Sequence, residues 1–237
     1  MTPERCGLTR GLSETTSMSE PGKPKLTYFN GRGQAESVRL VLAAAGVEFD
    51  EKYVETKDEL EKLREGGDLL FLQLPLLEIN GVKLVQVGAI VRHVARRAAL
   101  YGKNNVESAK CDMLAEGARD FNEIFNALPF APDRSAAEDE IQDNVLPRWL
   151  PIFEQALDDN GTGFLVGTGM TFADVALLEP LLTISELYPY ALEDYSKLED
   201  FLSYMREVPN LAKYLNSSHR KPPADDKYVE LVQGILS

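Results

Sequence analysis

The sequence of 237 residues predicts an α/β domain followed by an all-helical domain. Up to about residue 99, strand-like apolar runs alternate with helical periodicities in the order βαβαββα. The dipeptide Asn80-Gly81 separates two of these runs, as in a hairpin. Beyond residue 103 the strand signals stop. Because βαβαββα is the order of the thioredoxin fold, we predict a thioredoxin-like domain over residues 23–103 and an all-α domain over residues 104–237.

The first elements are justified by apolar spacing and by glycine. Residues 26–29 form a short apolar run that predicts a buried strand, and the glycine-containing residues 30–33 predict a turn. Over residues 34–45, apolar side chains recur three and four positions apart, which predicts a helix. Residues 51–54 are a candidate second strand, and residues 57–65 a charged, exposed helix.

The hairpin is the strongest local signal in the chain. Residues 74–79 and 82–85 are the two apolar runs, and Asn-Gly between them supplies the positive φ angles of a type I′ turn. Pro75 is tolerated at the start of a strand, where it need not donate to the ladder. A helix over residues 88–99 then closes the first domain.

Helical periodicity dominates the second half of the chain. Thr171 and Asp174 precede an apolar run in a Thr-x-x-Asp arrangement, which predicts a capped helix start with a structural role. Pro222-Pro223 interrupts the chain, and residues 225–236 predict a last amphipathic helix. The polar residues 1–22 contain no apolar core and predict a disordered N-terminal extension.

Composition excludes several classes of function. The net charge of −13 disfavours nonspecific nucleic-acid binding, and charged residues interrupt every stretch long enough for a membrane span. Cys6 and Cys111 are far apart, and His93 and His219 are isolated, so we expect neither a disulfide framework nor a metal site. We therefore expect a protein of a reducing compartment, the cytoplasm.

Several segments then resemble the alpha class of cytosolic glutathione transferases, in order from Lys23 to the C-terminus. The matching segments are residues 23–33, 43–49, 83–86, 100–103, 165–167, 172–174 and 220–223. The resemblance implies a homodimer that uses glutathione as co-substrate, holds no tightly bound cofactor and conjugates glutathione to small hydrophobic electrophiles.

The resemblance also implies roles for individual residues. Tyr28 matches the catalytic tyrosine, whose hydroxyl donates a hydrogen bond to the glutathione sulfur and stabilises the nucleophilic thiolate. The other residues matched to the glutathione site are Arg64, Gln73, Leu74, Pro75, Gln86, Val87, Asp120 and Arg148. Among them, Asp120 and Arg148 match residues that reach the partner subunit's site, and Phe71 matches an aromatic dimer contact. The electrophile site is matched by Phe29, Gly31, Phe130, Val229, Val232 and Leu236. The last three lie on the C-terminal helix, which the resemblance implies is a lid over the site.

Three positions depart from the class at the glutathione site. Gln34 and Gly88 stand where arginines are usual, and Val87 stands where a hydroxyl residue is usual. Together these changes predict weaker glutathione binding, because a hydrogen bond to a charged group contributes about 1.5–3 kcal/mol. They leave open an alternative, a catalytically weak, transferase-derived binder of hydrophobic ligands or a structural, crystallin-like protein. A redox module is disfavoured because no active-site cysteine is present.

Overall fold

A computed structural model describes residues 22–237. The extension predicted over residues 1–22 therefore lies outside the described residues, except for the exposed Gly22. Within residues 22–237, the strands all lie between residues 25 and 85, and helices follow to the end of the chain. The predicted fold class, a thioredoxin-like α/β half followed by an all-α half, is confirmed.

The sheet has four strands in the order β2-β1-β3-β4. They are β1 (Lys25–Tyr28), β2 (Asp50–Tyr53), β3 (Leu76–Ile79) and β4 (Val82–Val85). Strand β1 pairs in parallel with β2 and antiparallel with β3, which places Leu26 opposite Leu77. Between β3 and β4, Asn80 and Gly81 have φ angles of 50° and 77°, as the hairpin turn requires. The hairpin prediction is therefore confirmed.

Three helices accompany the sheet: α1 (Ala35–Ala44), α2 (Lys57–Glu65) and α3 (Val87–Arg97). The side chain of Thr56 caps α2 by accepting a hydrogen bond from the Glu59 amide. Helix α1 packs against α3 on one side and against the second half of the chain on the other, so its residues are almost all buried.

The helical half contains seven helices within the described residues. They are α4 (Asn105–Ala127), α5 (Arg134–Glu140), α6 (Leu146–Asn160), α7 (Phe172–Leu187), α8 (Ser196–Glu207), α9 (Pro209–Leu215) and α10 (Asp226–Leu236). A 3₁₀ turn, Leu128–Phe130, follows α4, and a π-helical segment, Ile141–Val145, joins α5 to α6. No helix in residues 22–237 is long and apolar enough to cross a bilayer.

Helix α7 is the centre of the core, since it packs against both α4 and α1 and thereby joins the two halves. It begins with the predicted capping arrangement. The carboxylate of Asp174 accepts hydrogen bonds from the Thr171 amide and hydroxyl at 2.7 and 2.8 Å, and from the Leu165 amide at 2.7 Å. The prediction of a structural role for this pair is confirmed, because all three bonds satisfy groups inside the core.

Candidate active site

Tyr28 ends β1 and points its hydroxyl at the start of α1. Its side chain is buried, and its hydroxyl oxygen accepts a hydrogen bond of 3.2 Å from the backbone amide of Gln34. The turn between them includes Gly33, whose φ of 44° lies in the left-handed region that glycine adopts readily. The hydroxyl proton of Tyr28 remains a donor, and the hydroxyl of Tyr228 beside it is an acceptor within its reach.

The surroundings of Tyr28 keep that proton in place at neutral pH. Burial raises the pKa of Tyr28 well above its usual value, and the neighbouring Tyr228 and Glu123 add to this effect. The Gln34 amide and the Arg39 guanidinium act in the opposite direction and are outweighed. Tyr28 is therefore a hydrogen-bond donor rather than a phenolate in this site.

Tyr228, on α10, is a site residue that our sequence reasoning missed. A Cβ atom at Gly31 would lie 2.2 Å from its ring, so the ring lies directly against this glycine. A Cβ atom at Gly33 would lie 2.6 Å from the Tyr28 hydroxyl and 3.2 Å from that of Tyr228, so the two hydroxyls meet over the same glycine. The available signal was the helical spacing of Tyr228 with the apolar Val232 and Ile235.

Two of the residues matched to the electrophile site are aromatic and lie near the two tyrosines. The ring of Phe29 is buried with its centroid 5.1 Å from that of Tyr28. The ring of Phe130 lies 6.5 Å from that of Tyr228, next to the Gly31 turn.

On α10, Val232 is buried and Val229 half-buried. Leu236 is 55% exposed, and Ile235 takes the buried position instead. The reason is that the packed face of α10 follows residues 228, 232 and 235, whereas the spacing 229, 232 and 236 runs along the side of the helix.

Gln73 and Gln86 lie side by side at the end of the sheet. The side-chain amide of Gln86 donates a hydrogen bond of 3.4 Å to the side-chain oxygen of Gln73. Gln86 has a φ of 71° and immediately precedes α3, which starts with Val87 and Gly88. The Leu74–Pro75 peptide bond is cis, and Leu74 has no partner in the strand registers of the sheet.

Arg64 and Phe71 lie beside the same segment. The Arg64 guanidinium donates to the Leu72 carbonyl at 3.0 Å and to Glu61 at 2.7 Å, so it is held against the loop that precedes Gln73. Phe71 is 56% exposed and its neighbours Leu70 and Leu72 are exposed as well, which leaves an apolar segment at the surface.

Asp120 and Arg148 are not brought to Tyr28 within the described chain. The Asp120 carboxylate is exposed on α4, 3.8 Å from Arg119, and the Arg148 guanidinium stacks over the Trp149 ring at 5.2 Å. Both side chains are therefore free to meet another surface.

A buried ion network under the Gly31 turn is a second feature that sequence reasoning missed. Arg39 is fully buried and pairs with Glu51 at 2.7 Å and with Glu36 at 3.1 Å, while donating to the Gly31 carbonyl at 2.8 Å. Glu36 also pairs with Arg220 at 2.5 Å. The spacing of Glu36 and Arg39, three apart on an amphipathic helix, was a weak signal, because such pairs usually lie at the surface.

Glu179 is a buried carboxylate at the junction of the two halves, and it forms no ion pair with any side chain of residues 22–237. Glu179 on α7 accepts a hydrogen bond of 2.5 Å from the Ser37 hydroxyl, and burial raises its pKa to about 7. Within residues 22–237, no group of three or more His, Cys, Asp or Glu side chains is arranged to hold a metal ion.

The fold defines a class. A thioredoxin-like half followed by an all-helical half is the two-part arrangement of the glutathione S-transferases. Two family models match the chain: "Glutathione S-transferase, N-terminal domain" over residues 24–96 and "Glutathione S-transferase, C-terminal domain" over residues 119–218.

Individual relatives agree with these models. Glutathione S-transferase A4 of Mus musculus is 43% identical over 90% of this chain and 98% of its own length, and glutathione S-transferase alpha I of Oryctolagus cuniculus is 43% identical over 90% and 97%. A solved structure of the monomeric Na-GST-3 of Necator americanus superposes with a TM-score of 0.74 at 29% identity, covering 86% of this chain and 98% of that one. The chain belongs to the glutathione S-transferase family and is similar to its alpha-class members.

Proposed function

We propose that this protein conjugates reduced glutathione to small hydrophobic electrophiles in the cytoplasm, through a thiolate stabilised by Tyr28. The observation that carries the proposal is the position of the Tyr28 hydroxyl, which is buried at the start of α1 and accepts a hydrogen bond from the Gln34 amide. Burial raises its pKa, which favours the hydrogen-bond donor over the phenolate at neutral pH. In the reaction, the glutathione thiol gives its proton to solvent and its sulfur accepts a hydrogen bond from Tyr28. The thiolate then attacks an electrophilic carbon, forming a C–S bond as a leaving group departs or a double bond is protonated.

The glutathione subsite is proposed around the start of α3. Gln73 and Gln86 offer side-chain amides side by side, and the backbone amides that open α3 at Val87 favour the γ-glutamyl carboxylate. The unpaired backbone of Leu74, beside Pro75, offers strand-like bonds to the cysteinyl unit. Because the Val87 side chain has no hydroxyl, we expect glutathione to bind about tenfold more weakly than it would to a threonine variant.

We also propose that the active form is a homodimer, with Phe71 inserted into the partner and with Asp120 and Arg148 reaching the partner's site. The support is the exposed apolar segment Leu70–Leu72 together with the exposure of Asp120. Because a relative of similar fold is monomeric, the oligomeric state needs its own test. Light scattering on Phe71→Ser is expected to show monomers where the parent shows dimers; a monomeric parent would refute this part of the proposal.

The decisive experiment is steady-state conjugation of glutathione to an aryl halide by the parent protein and by Tyr28→Phe. We expect saturable turnover in the parent and at least a tenfold loss of kcat in Tyr28→Phe, since the hydrogen bond to the thiolate is worth about 1.5–3 kcal/mol. Tyr190→Phe, at an exposed tyrosine on the surface, is the matched control and is expected to leave the rate unchanged. Equal rates in Tyr28→Phe and the parent would refute the tyrosine mechanism.

A second candidate is a catalytically weak binder of hydrophobic ligands or a structural protein. The observation that favours it is the neutral character of Gln34, Val87 and Gly88 around the thiol and γ-glutamyl positions. Retention on immobilised glutathione separates the candidates. Loss of retention in the parent, restored by Gln34→Arg with Val87→Thr, would favour the binder, whereas tight retention in both forms would favour the transferase.

A further inference from the structure

Gln34 connects the Tyr28 hydroxyl to an acidic side chain from the helical half. The backbone amide of Gln34 donates to Tyr28, and its side-chain amide lies 3.4 Å from both carboxylate oxygens of Glu123 on α4. A single residue therefore separates the Glu123 carboxylate from the position at which a sulfur would meet Tyr28. Contacts of 3.4 Å to both oxygens are long, so the glutamine screens the carboxylate poorly.

No cation compensates this carboxylate within residues 22–237. Arg119 lies one turn earlier on α4, but it pairs with Glu116 and lies near Asp120. On the other side, the guanidinium of Arg39 is committed to two buried carboxylates under the Gly31 turn. An arginine at position 34 would meet Glu123 directly, whereas the neutral Gln34 leaves its charge exposed to the site.

We propose that Glu123 opposes formation of the glutathione thiolate at Tyr28 and thereby sets the pH range in which the enzyme turns over. This inference rests on the proposed function. A like charge close to a developing anion disfavours that anion, and the partly buried setting limits screening by water. Glu123 is thus a positioning residue that acts through the electrostatic field, and it forms no bond to the sulfur.

The other charged or titratable groups near the Tyr28 hydroxyl do not oppose thiolate formation in this way. From α10, the Tyr228 hydroxyl stays neutral through neutral pH, because burial raises its pKa above the usual value for tyrosine. From α1, Arg39 favours an anion at Tyr28, but its charge is balanced by Glu36 and Glu51. Glu123 is therefore the unbalanced charge whose removal we expect to change the titration.

The test is the pH profile of kcat/KM for glutathione in the parent, in Glu123→Gln and in Gln34→Arg. Both variants are expected to move the midpoint of the alkaline rise downward by about one pH unit, and to raise turnover below that midpoint by roughly tenfold. The pKa of the bound glutathione thiol, followed by the ultraviolet absorbance of its thiolate, should fall by the same amount. A purely structural role of Glu123 would leave this pKa unchanged. Asp200→Asn, at an exposed carboxylate on α8, is the matched control.

The outcomes separate this inference from the function on which it rests. Saturable turnover with a midpoint in Glu123→Gln within about 0.2 unit of the parent would overturn the role of Glu123 while leaving the transferase intact, whatever Gln34→Arg shows, because the added cation favours the thiolate by itself. If Glu123→Gln fails to fold, Glu123→Met, which removes the same charge with a side chain of similar length, decides by the same criterion. Absence of turnover in the parent and in every variant would refute the proposed function first.

Discussion

Replacing Arg39 with methionine tests whether the buried ion network holds the active-site turn. The guanidinium is 0% exposed and makes ion pairs to Glu36 and Glu51 and a hydrogen bond to the Gly31 carbonyl. In Arg39→Met, Glu36 keeps Arg220 as a partner, but Glu51, which is 4% exposed, loses its closest cation. Removing one partner of a buried pair typically costs about 3–5 kcal/mol, because the remaining charge stays desolvated.

Thermal and urea unfolding at fixed protein concentration measure this loss. For a chain of this size, about 2–4 °C is lost per kcal/mol, so we expect the melting temperature of Arg39→Met to fall by roughly 6–20 °C. Turnover should fall as well, since the Gly31 turn would lose an anchor beneath Tyr228. Arg97→Met, at an exposed arginine on α3, is the control and should change stability by less than about 0.5 kcal/mol. A loss below about 1 kcal/mol in Arg39→Met would refute the reasoning.

Two further predictions concern buried groups and close packing. The folded-state pKa of Glu179, about 7, exceeds its ordinary 4.5, so its contribution to stability is complete below pH 4.5 and declines as pH rises to about 7. In urea unfolding, the free energy of unfolding of the parent should fall by up to about 3 kcal/mol relative to that of Glu179→Gln as the pH rises over that window. Parallel dependences of this free energy on pH in the two proteins would contradict the prediction. The melting temperature of Gly102→Ala should be lower by about 5 °C or more, because the added Cβ would lie 2.2 Å from the backbone nitrogen of Ser108. Gly169→Ala, where nothing lies within 4 Å, is its control in the same melting experiment, and equal losses in the two would show that the clash is relieved.

Much of the fold was readable because local signals agreed with the final packing. The Asn80-Gly81 turn and the apolar runs beside it identify the hairpin from local rules alone, and the charged helix after Thr56 is bounded as predicted, over Lys57–Glu65. Elsewhere, the observed ends of helices and strands differ from the predicted ends by one or two residues. Helix α3, for example, begins at Val87 rather than at residue 88, because the backbone turns at Gln86 with a φ of 71°.

The candidate site was less readable from the sequence, because its geometry depends on elements far apart in the chain. Resemblance indicated Tyr28, Gln73 and Gln86, and the structure brings the two glutamines together. It did not indicate Tyr228, whose role depends on how α10 lies over the Gly31 turn. That placement is set by packing of α10 against α2 and the 3₁₀ turn after α4, which spacing along one helix does not specify.

The departure at Gln34 shows why a substitution has to be judged with the groups that face it. In the sequence, Gln34 appears only as a missing positive charge near the thiol, which predicts weaker binding of an anion. In the structure, its side chain lies against Glu123, 89 positions along the chain, so the same change also leaves a negative charge uncovered. Both effects raise the pH at which the thiolate forms, because a nearby cation favours the thiolate and a nearby carboxylate disfavours it. Glu123→Gln removes the carboxylate without adding a cation, so its pH profile of kcat/KM isolates the second effect, and any further shift in Gln34→Arg reports the first.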